Sequence, residues 1–359
     1  MTIKRRKTKT INIGAVKVGL GHPVSIQSMT KTDTEDPQAT LKQIKALEQA
    51  GCEIIRVAVK NTNSALALGK IRPRINIPLM ADIHFNYRLA LEAVARGVDG
   101  LRLNPGNIYR REEVRAIALA CKKRKIPIRV GVNSGSLKIE NCKLKSVKLE
   151  DLMVKAALNY IKMLESFDFY DIIVSLKASS ILETVAAYKK FSKRCRYPLH
   201  LGITAAGLPE QGTVKSAIGI GALLLEGIGD TVRVSLAGDP LKEVKVAREI
   251  LQALDLRSFG PKLIVCPTCG RCQTDVVKIA REVKKKLDCE LSTVNYQLSP
   301  KVAIMGCEVN GPGEAAEADL GIACGKNYAL LFKQGKIIKK IKKSQIADAL
   351  LKLTLKDRR

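Results

Sequence analysis

Cys266-Pro-Thr-Cys269 and Cys307-Glu-Val-Asn310-Gly-Pro-Gly-Glu314 place three thiols and a carboxylate on short turns rich in Gly and Pro. This is a ligand set for a metal centre with one unusual corner. Iron–sulfur clusters are generally held by four thiolates, so a carboxylate in the fourth place would leave one iron harder, less reducing and easier to open. Such a cluster would bind a substrate as well as pass electrons.

The neighbouring thiols narrow the choice without closing it. Cys266-x-x-Cys269-x-x-Cys272 begins like a ferredoxin pattern, but Gln273-Thr-Asp275-Val276 stands where a fourth cysteine would follow. A single Cys-x-x-Cys also serves zinc ribbons and thioredoxin-like redox pairs. Zinc would call for a second such pair or two histidines, which Cys289, Cys307 and Cys324 do not supply. Cys52, Cys121, Cys142, Cys195, Cys289 and Cys324 fall singly in apolar or mixed segments and read as packed thiols.

Both motifs need strands to position them. After Leu254, Ser258-Phe-Gly-Pro261 reads as a linker into a smaller α/β module. Strands are expected at 262–265 and 301–305, each running into a cysteine motif. A helix is expected at 275–286, short strands at 320–323 and 328–333, and a last helix at 344–354. Loops from two strands would then meet at one edge.

Ahead of the linker one unit recurs: a β-branched run, a polar turn and a segment of helical period. Strands are expected at 24–27, 53–59, 78–82, 100–103, 127–132, 171–176, 198–203 and 231–236, with helices such as 37–50, 87–96, 111–123, 152–165, 181–193 and 241–254. Eight such units argue for a TIM barrel rather than an open doubly wound sheet. The chain therefore divides into a barrel over 1–256 and a cluster domain over 257–359. At 359 residues it has room for both.

A TIM barrel carries its active site at the C-terminal ends of its strands. Polar residues collect there: Gln27-Ser-Met-Thr30, Arg56, Asp82-Ile-His84, Arg102-Leu-Asn104, Arg129, Asn133, Lys177, Thr204, Arg233 and Ser235. A strand-end Asp or Ser can simply cap the next helix. Cations embedded in four β-runs are harder to dismiss, because an unpaired charge inside a barrel is costly. Arg56, Arg102, Arg129 and Lys177 converging on one mouth would suit a multiply charged anion such as a diphosphate, with Arg giving bidentate donors and Lys a point charge. Arg233 could join them or form a salt bridge to a neighbouring strand.

Composition bounds the partners. Lys and Arg number 62 against 34 Asp and Glu, for a net charge of +28, which attracts acidic macromolecules and anionic small molecules. Nucleic acid fits poorly, since aromatic residues make up 4% of the chain, no nucleic-acid-binding motif is present and the lysines spread over many helix-like faces. No apolar run is long enough to span a membrane, and the basic start Met1-Thr-Ile-Lys-Arg-Arg-Lys-Thr-Lys-Thr10 lacks an apolar core behind it. A cytoplasmic protein in a reducing compartment is the expectation.

The motifs taken together carry a resemblance. Cys266-Pro-Thr-Cys-Gly-Arg271 with Met305-Gly-Cys-Glu-Val-Asn-Gly-Pro-Gly-Glu314 closely resembles the hydroxymethylbutenyl diphosphate synthases of the non-mevalonate isoprenoid pathway. Gln27-Ser-Met-Thr30, Ala81-Asp-Ile-His84, Arg102-Leu-Asn-Pro-Gly106, Arg129-Val-Gly-Val-Asn133, Leu176-Lys-Ala178 and Leu201-Gly-Ile-Thr204 match family motifs in order. The resemblance covers nearly the whole chain and is similar to the short two-domain bacterial form.

The resemblance implies a 4Fe-4S cluster on Cys266, Cys269, Cys307 and Glu314, with Cys272 a structural thiol. It implies the reductive ring opening and dehydroxylation of 2-C-methyl-D-erythritol 2,4-cyclodiphosphate to 4-hydroxy-3-methylbut-2-enyl diphosphate. Ferredoxin or flavodoxin would donate the electrons, and a head-to-tail homodimer would form. Arg56, Arg102, Arg129, Lys177 and Ser235 would hold the diphosphate, Asp82, His84 and Asn133 would line the mouth, and Asn310 would reach in from the cluster loop. Glu314 would yield its place when a substrate oxygen binds.

One position departs from the family. Where the family reads Thr-Glu-Ala-Gly, this chain reads Thr204-Ala205-Ala206-Gly207. The missing carboxylate is a family candidate for proton transfer, a role typically worth about 100- to 10,000-fold. The chain thus looks like a Glu-to-Ala variant at position 205 with impaired turnover. Two other readings stay open: a zinc-containing nucleic-acid-binding protein leaves the eight βα units without purpose, and a thiol oxidoreductase on Cys266 and Cys269 leaves Cys307 and Glu314 unexplained.

Overall fold

Alternating β-branched runs and amphipathic segments build a closed parallel barrel in the first of two units, Met1–Arg257; the second is Ser258–Arg359. The structure is a computed structural model that describes residues 3–137, 148–204, 206–291 and 300–356. A hairpin comes first, β1 (Ile11–Ile13) paired antiparallel with β2 (Val16–Val18). Its Ile11, Ile13 and Val18 pack on Ile54, Met80 and Ile173, near the starts of barrel strands, and so cover the N-terminal end of the barrel. The reading of the sequence did not include this hairpin, because three-residue strands are too short to show a period.

The barrel strands are β3 (Ser25–Met29), β4 (Ile54–Val59), β5 (Leu79–Ile83), β6 (Gly100–Leu103), β7 (Ile128–Asn133), β8 (Ile172–Lys177), β9 (His200–Leu201) and β10 (Thr231–Val232). They lie in the order β8-β7-β6-β5-β4-β3-β10-β9. A parallel bridge between Val174 and Leu199 joins the two ends. Around them run α1 (Pro37–Gln49), α2 (Thr62–Ile71), α3 (Tyr87–Ala95), α4 (Arg111–Arg124), α5 (Leu149–Glu165), α6 (Ile181–Ser192), α7 (Pro209–Leu225) and α8 (Pro240–Ala253). The TIM barrel expected from eight βα units is the observed fold.

Local chemistry sets the helix starts that follow the strand ends. Asp36 accepts the amides of Gln38 and Ala39 ahead of Pro37, and Asp239 accepts that of Leu241 ahead of Pro240. Asn61 and Ser64 form a reciprocal capping box on α2. A helix was expected after every strand, but the apolar period gave no bounds for α2 or α7. In α7 the reason is its glycines: a Cβ at Gly212 would stand 2.6 Å from Leu236 and one at Gly219 2.6 Å from Ile203, so close packing on the barrel has thinned the apolar period.

The last two barrel strands are shorter than expected, two residues each in place of 198–203 and 231–236. At Gly202 an added Cβ would lie 2.6 Å from the Arg233 carbonyl and 2.7 Å from Lys177 Nζ. Further on, the Leu236 amide donates to Glu243 instead of to a strand. Side chains take over from the ladder at this seam.

The second unit contains β11 (Lys262–Val265), α9 (Val276–Leu291), β12 (Lys301–Met305), α10 (Gly311–Ala316), β13 (Leu320–Cys324), β14 (Tyr328–Lys333), β15 (Lys336–Lys342) and α11 (Ile346–Lys356). Its sheet runs in sequence order, parallel from β11 to β13 and antiparallel from β13 to β15. Val276, Val283, Ile346 and Leu350 of α9 and α11 pack on Val302, Ile304, Ile322 and Leu331 of one face. On the other, Ala315 of α10 packs against Ala303, Met305 and Phe332. Exposed lysines at 336, 339, 340 and 342 protect the edge strand β15 from pairing with other chains.

Candidate functional site

Register brings the barrel's charged residues to one level. Asp82 pairs with Arg102 across β5 and β6, and Arg102 with Arg129 across β6 and β7. Four residues further along β7, Asn133 pairs with Lys177 of β8. Cross-strand partners share a face of the sheet, and these polar side chains are buried in the barrel: Arg56, Asp82, Arg102, Arg129 and Lys177 are each no more than 9% exposed.

Asp82 organises two of the cations. Its Oδ1 lies 3.2 Å from Arg102 Nη1 and its Oδ2 3.5 Å from Arg56 Nε. Arg102 Nη2 also donates to the Gly131 carbonyl at 2.9 Å. Arg129 Nη1 donates to Gln27 Oε1, while its Nε and Nη2 are buried without a partner. Arg233 enters the same field, 3.7 Å from Glu243 and with a buried, unpartnered Nε.

Five cations, Arg56, Arg102, Arg129, Lys177 and Arg233, thus face two carboxylates, Asp82 and Glu243. Burial lowers the Arg56 guanidinium to about 9, against the help of Asp82 and with repulsion from Arg233 and Arg102. Burial and then repulsion from Arg56 push Arg129 and Lys177 well below their ordinary ranges. Asp82 shows the converse: burial raises it, but Arg56 and Arg102 more than reverse this and hold it at about 2. His200, fully buried and 3.3 Å from Thr231 Oγ1, is kept neutral by burial and by Lys177. Unpartnered N–H groups in a field of excess positive charge make a site for an anion with several oxygens.

The other expected mouth residues also lie at strand ends. His84 directly follows β5 and is half-buried, Asn133 ends β7, and half-buried Ser235 lies three residues past β10. Ala205 and Cys142 lie outside the described residues, as does the side chain of Cys289. Gln27 was expected among the polar residues of the strand ends, whereas His200, Lys31 and Glu243 were not singled out as site residues. No local sequence signal marks those three; glycines instead mark the close approach of cations already named, since an added Cβ would stand 2.4 Å from Arg102 Nε at Gly131, within β7, and 2.7 Å from Lys177 Nζ at Gly202, just past β9.

In the second unit the cysteines gather at the C-terminal edge of the sheet. Cys266 follows β11 and Cys307 follows β12, and these strands are hydrogen-bonded neighbours with Val265 opposite Ile304. Thr268, between Cys266 and Cys269, has φ +66°, a left-handed conformation that costs a β-branched residue about 1 kcal/mol or more. Cys269 is exposed. Cys272 is half-buried, its Sγ donating to the Thr274 carbonyl at 3.1 Å and filling the space over Gly306.

The thiols differ in chemistry. Cys307 is lowered below its ordinary range by the backbone N–H groups of Asn310, Val309 and Gly311, which converge on its sulfur as α10 begins. Burial instead pushes Cys52 and Cys121 up to about 12 and Cys324 to about 11. Asn310 and Glu314 are exposed at the start of α10. Unpaired thiols on adjacent strand ends, one biased toward thiolate, fit an iron–sulfur centre in donor chemistry. Among the described residues, no three His, Cys, Asp or Glu side chains already form a metal-ligand group. The donors share an edge and are not drawn into a cage.

Comparison with known proteins decides the family. The profile of the GcpE TIM-barrel domain matches residues 8–248, and that of the GcpE protein C-terminal domain matches residues 262–356. The chain belongs to the GcpE family. Its GcpE relatives include a Thermodesulfovibrio yellowstonii protein, 54% identical over 97% of this chain and 98% of its own length, and a Clostridium perfringens protein, 50% identical over 98% and 99%. Both carry the name 4-hydroxy-3-methylbut-2-en-1-yl diphosphate synthase (flavodoxin). Among solved structures, Yersinia pestis dihydropteroate synthase is similar with a TM-score of 0.52 at 10% identity, over 68% of this chain and 97% of that one. N-acetylneuraminic acid synthetase from Leptospira borgpetersenii gives 0.51 at 11% over 81% and 100%. At such identities the likeness is one of fold.

Proposed function

We propose that this GcpE protein is a flavodoxin-dependent 4-hydroxy-3-methylbut-2-en-1-yl diphosphate synthase. It is an oxidoreductase of isoprenoid precursor biosynthesis that opens the ring of 2-C-methyl-D-erythritol 2,4-cyclodiphosphate and removes a hydroxyl with two electrons. The observation that carries this reading is the buried ring of cations: the orphaned donors of Arg129 and Arg233, in a mouth of five cations and two carboxylates, call for a ligand with several anionic oxygens.

Arg56, Arg102, Arg129, Lys177 and Ser235 bind the diphosphate in this reading. Asp82 orients Arg56 and Arg102 from behind, and His84 and Asn133 border the substrate at the strand ends. A 4Fe-4S cluster held by Cys266, Cys269, Cys307 and Glu314 would supply the electrons at an iron whose carboxylate corner opens most readily. Asn310 lies next to this donor set, at the turn whose amides face Cys307. With Ala at 205, no side chain at that position can carry a proton, and turnover is reduced.

The electron donor is an acidic flavodoxin, or a ferredoxin of the same charge, drawn by the net charge of +28. The unpaired thiols of the described residues suit the reducing cytoplasm, and the head-to-tail homodimer belongs to the same reading. Two experiments test the whole: calorimetric titration of the full chain with the cyclodiphosphate, and product formation by an Ala205→Glu protein given reduced flavodoxin. Failure to bind the cyclodiphosphate, or product-free consumption of electrons, would exclude the assignment.

A further inference from the structure

We infer that Glu243 and Lys31 form a clamp that positions Arg233 and Ser235 against the diphosphate, an inference that rests on the diphosphate reading above. The seam between the last and first barrel strands is where the ladder is weakest. β10 ends at Val232, and both polar residues lie beyond it. Arg233 keeps one backbone bond, from its N–H to the Leu201 carbonyl at 2.9 Å, and the next backbone bond is that of Ala237 to Gly207 at 3.1 Å.

Two side chains hold the stretch between. Glu243 reaches in from the first turn of α8 and is 1% exposed. Its Oε1 accepts the Leu236 amide at 3.1 Å and lies 2.9 Å from Lys31 Nζ. Its Oε2 lies 3.5 Å from Ser28 Oγ and 3.7 Å from Arg233 Nη2. Lys31, just past β3, donates to the Leu236 and Gly238 carbonyls at 2.6 Å each. One carboxylate therefore fixes both the backbone of the segment and the guanidinium that projects from it, and one ammonium ties that backbone to the first barrel strand.

The chemistry argues against a purely structural carboxylate. A buried ion pair is costly to desolvate, and apolar side chains of similar volume in place of both Glu243 and Lys31 would fill the space about as stably. A first-turn acid complements the helix dipole without needing burial. The loose contact to Arg233 restrains its guanidinium from one side, and its Nε remains without a protein partner. Such an arrangement presets direction while leaving donors for a ligand.

The test is calorimetric titration of inorganic pyrophosphate into the full chain, its Glu243→Gln variant and its Lys31→Met variant, with hydrogen exchange measured over residues 233–238. Gln keeps an acceptor for Leu236 but loses the charge. The clamp predicts binding about tenfold weaker in E243Q, one charge-assisted hydrogen bond misaligned. Summed charge predicts the opposite, since removing an anion from a cationic mouth should tighten binding. Affinity in E243Q equal to or tighter than the parent's overturns the clamp; absence of pyrophosphate binding by the parent overturns the diphosphate reading itself. Should E243Q not fold, Lys31→Met decides, because Lys31 is part-exposed: faster exchange over 233–238 with weaker binding supports the clamp, and unchanged exchange refutes it.

Discussion

Replacing Gly131 with Ala tests the cation ring without touching a charge. Gly131 lies within β7, and a Cβ there would stand 2.4 Å from Arg102 Nε and 3.1 Å from its Nη2. The clash must be relieved by moving the guanidinium, which also forfeits its bond to the Gly131 carbonyl at 2.9 Å and strains its pair with Asp82. Ala in a strand gains about 0.5–1 kcal/mol over Gly, and overpacking costs about 1–3 kcal/mol, so the fold should lose only on the order of 1 kcal/mol. The bound anion should lose more. A misdirected Arg102 sacrifices at least one charge-assisted hydrogen bond, about 1.5–3 kcal/mol, or roughly 10- to 150-fold in Kd. Calorimetry with the cyclodiphosphate reads the affinity, and a thermal melt reads the stability. An affinity within about twofold of the parent's, in a protein that melts normally, would refute the placement of Arg102 in the anion site.

Other perturbations probe the same network. Asp82→Asn leaves Arg56 and Arg102 buried without their counter-charge and should cost about 3–5 kcal/mol in urea unfolding at neutral pH. Because the folded Asp82 is held at about 2, below the ordinary carboxylate range, its stabilising contribution is full above that range and lost as pH falls through about 2; an unchanged midpoint at neutral pH would contradict its role. Lys177 is depressed by burial and by Arg56, so the unfolded chain binds more protons above the folded pKa, and the ligand-free protein should gain stability as pH rises from there toward the ordinary lysine range. A bound diphosphate reverses the depression, so titrations in buffers of different ionisation enthalpy should show proton uptake; none would mean that Lys177 is not at the ligand. Ala205→Glu should raise reductive turnover by about 100-fold or more, and no gain in rate would remove position 205 from the chemistry.

Much of the fold could be read from the sequence because the barrel strands are buried on both faces. Runs such as Ile54–Val59 and Ile172–Lys177 are almost wholly buried and stand out from the amphipathic helices between them. The cations were legible for the same reason: Arg102 or Lys177 in such a run has few explanations other than an anion. What was lost is local or tertiary. The β1–β2 hairpin is too short for a period, and the glycines of α7 serve close packing at the expense of its apolar stripe. Glu243 was unreadable because a first-turn glutamate looks the same whether it faces water or, as here, reaches the seam of a barrel. The strand ends at 202 and 233 moved because Lys177 and Glu243 claim the space and the hydrogen bonds that a longer ladder would use. In the second unit, spacing exposed the thiols, but only the structure shows the amides of residues 309–311 turned on Cys307 while burial keeps Cys324 a thiol.

The central claim is a reductive enzyme built from a cationic barrel and a thiolate–carboxylate iron site, and iron content measures it most directly. Purified without oxygen, the parent chain should be brown and carry about four irons per chain. Cys307→Ser should abolish that iron and Cys272→Ser should retain it. A colourless protein that binds zinc, or iron that survives Cys307→Ser and disappears with Cys272→Ser, would contradict the account.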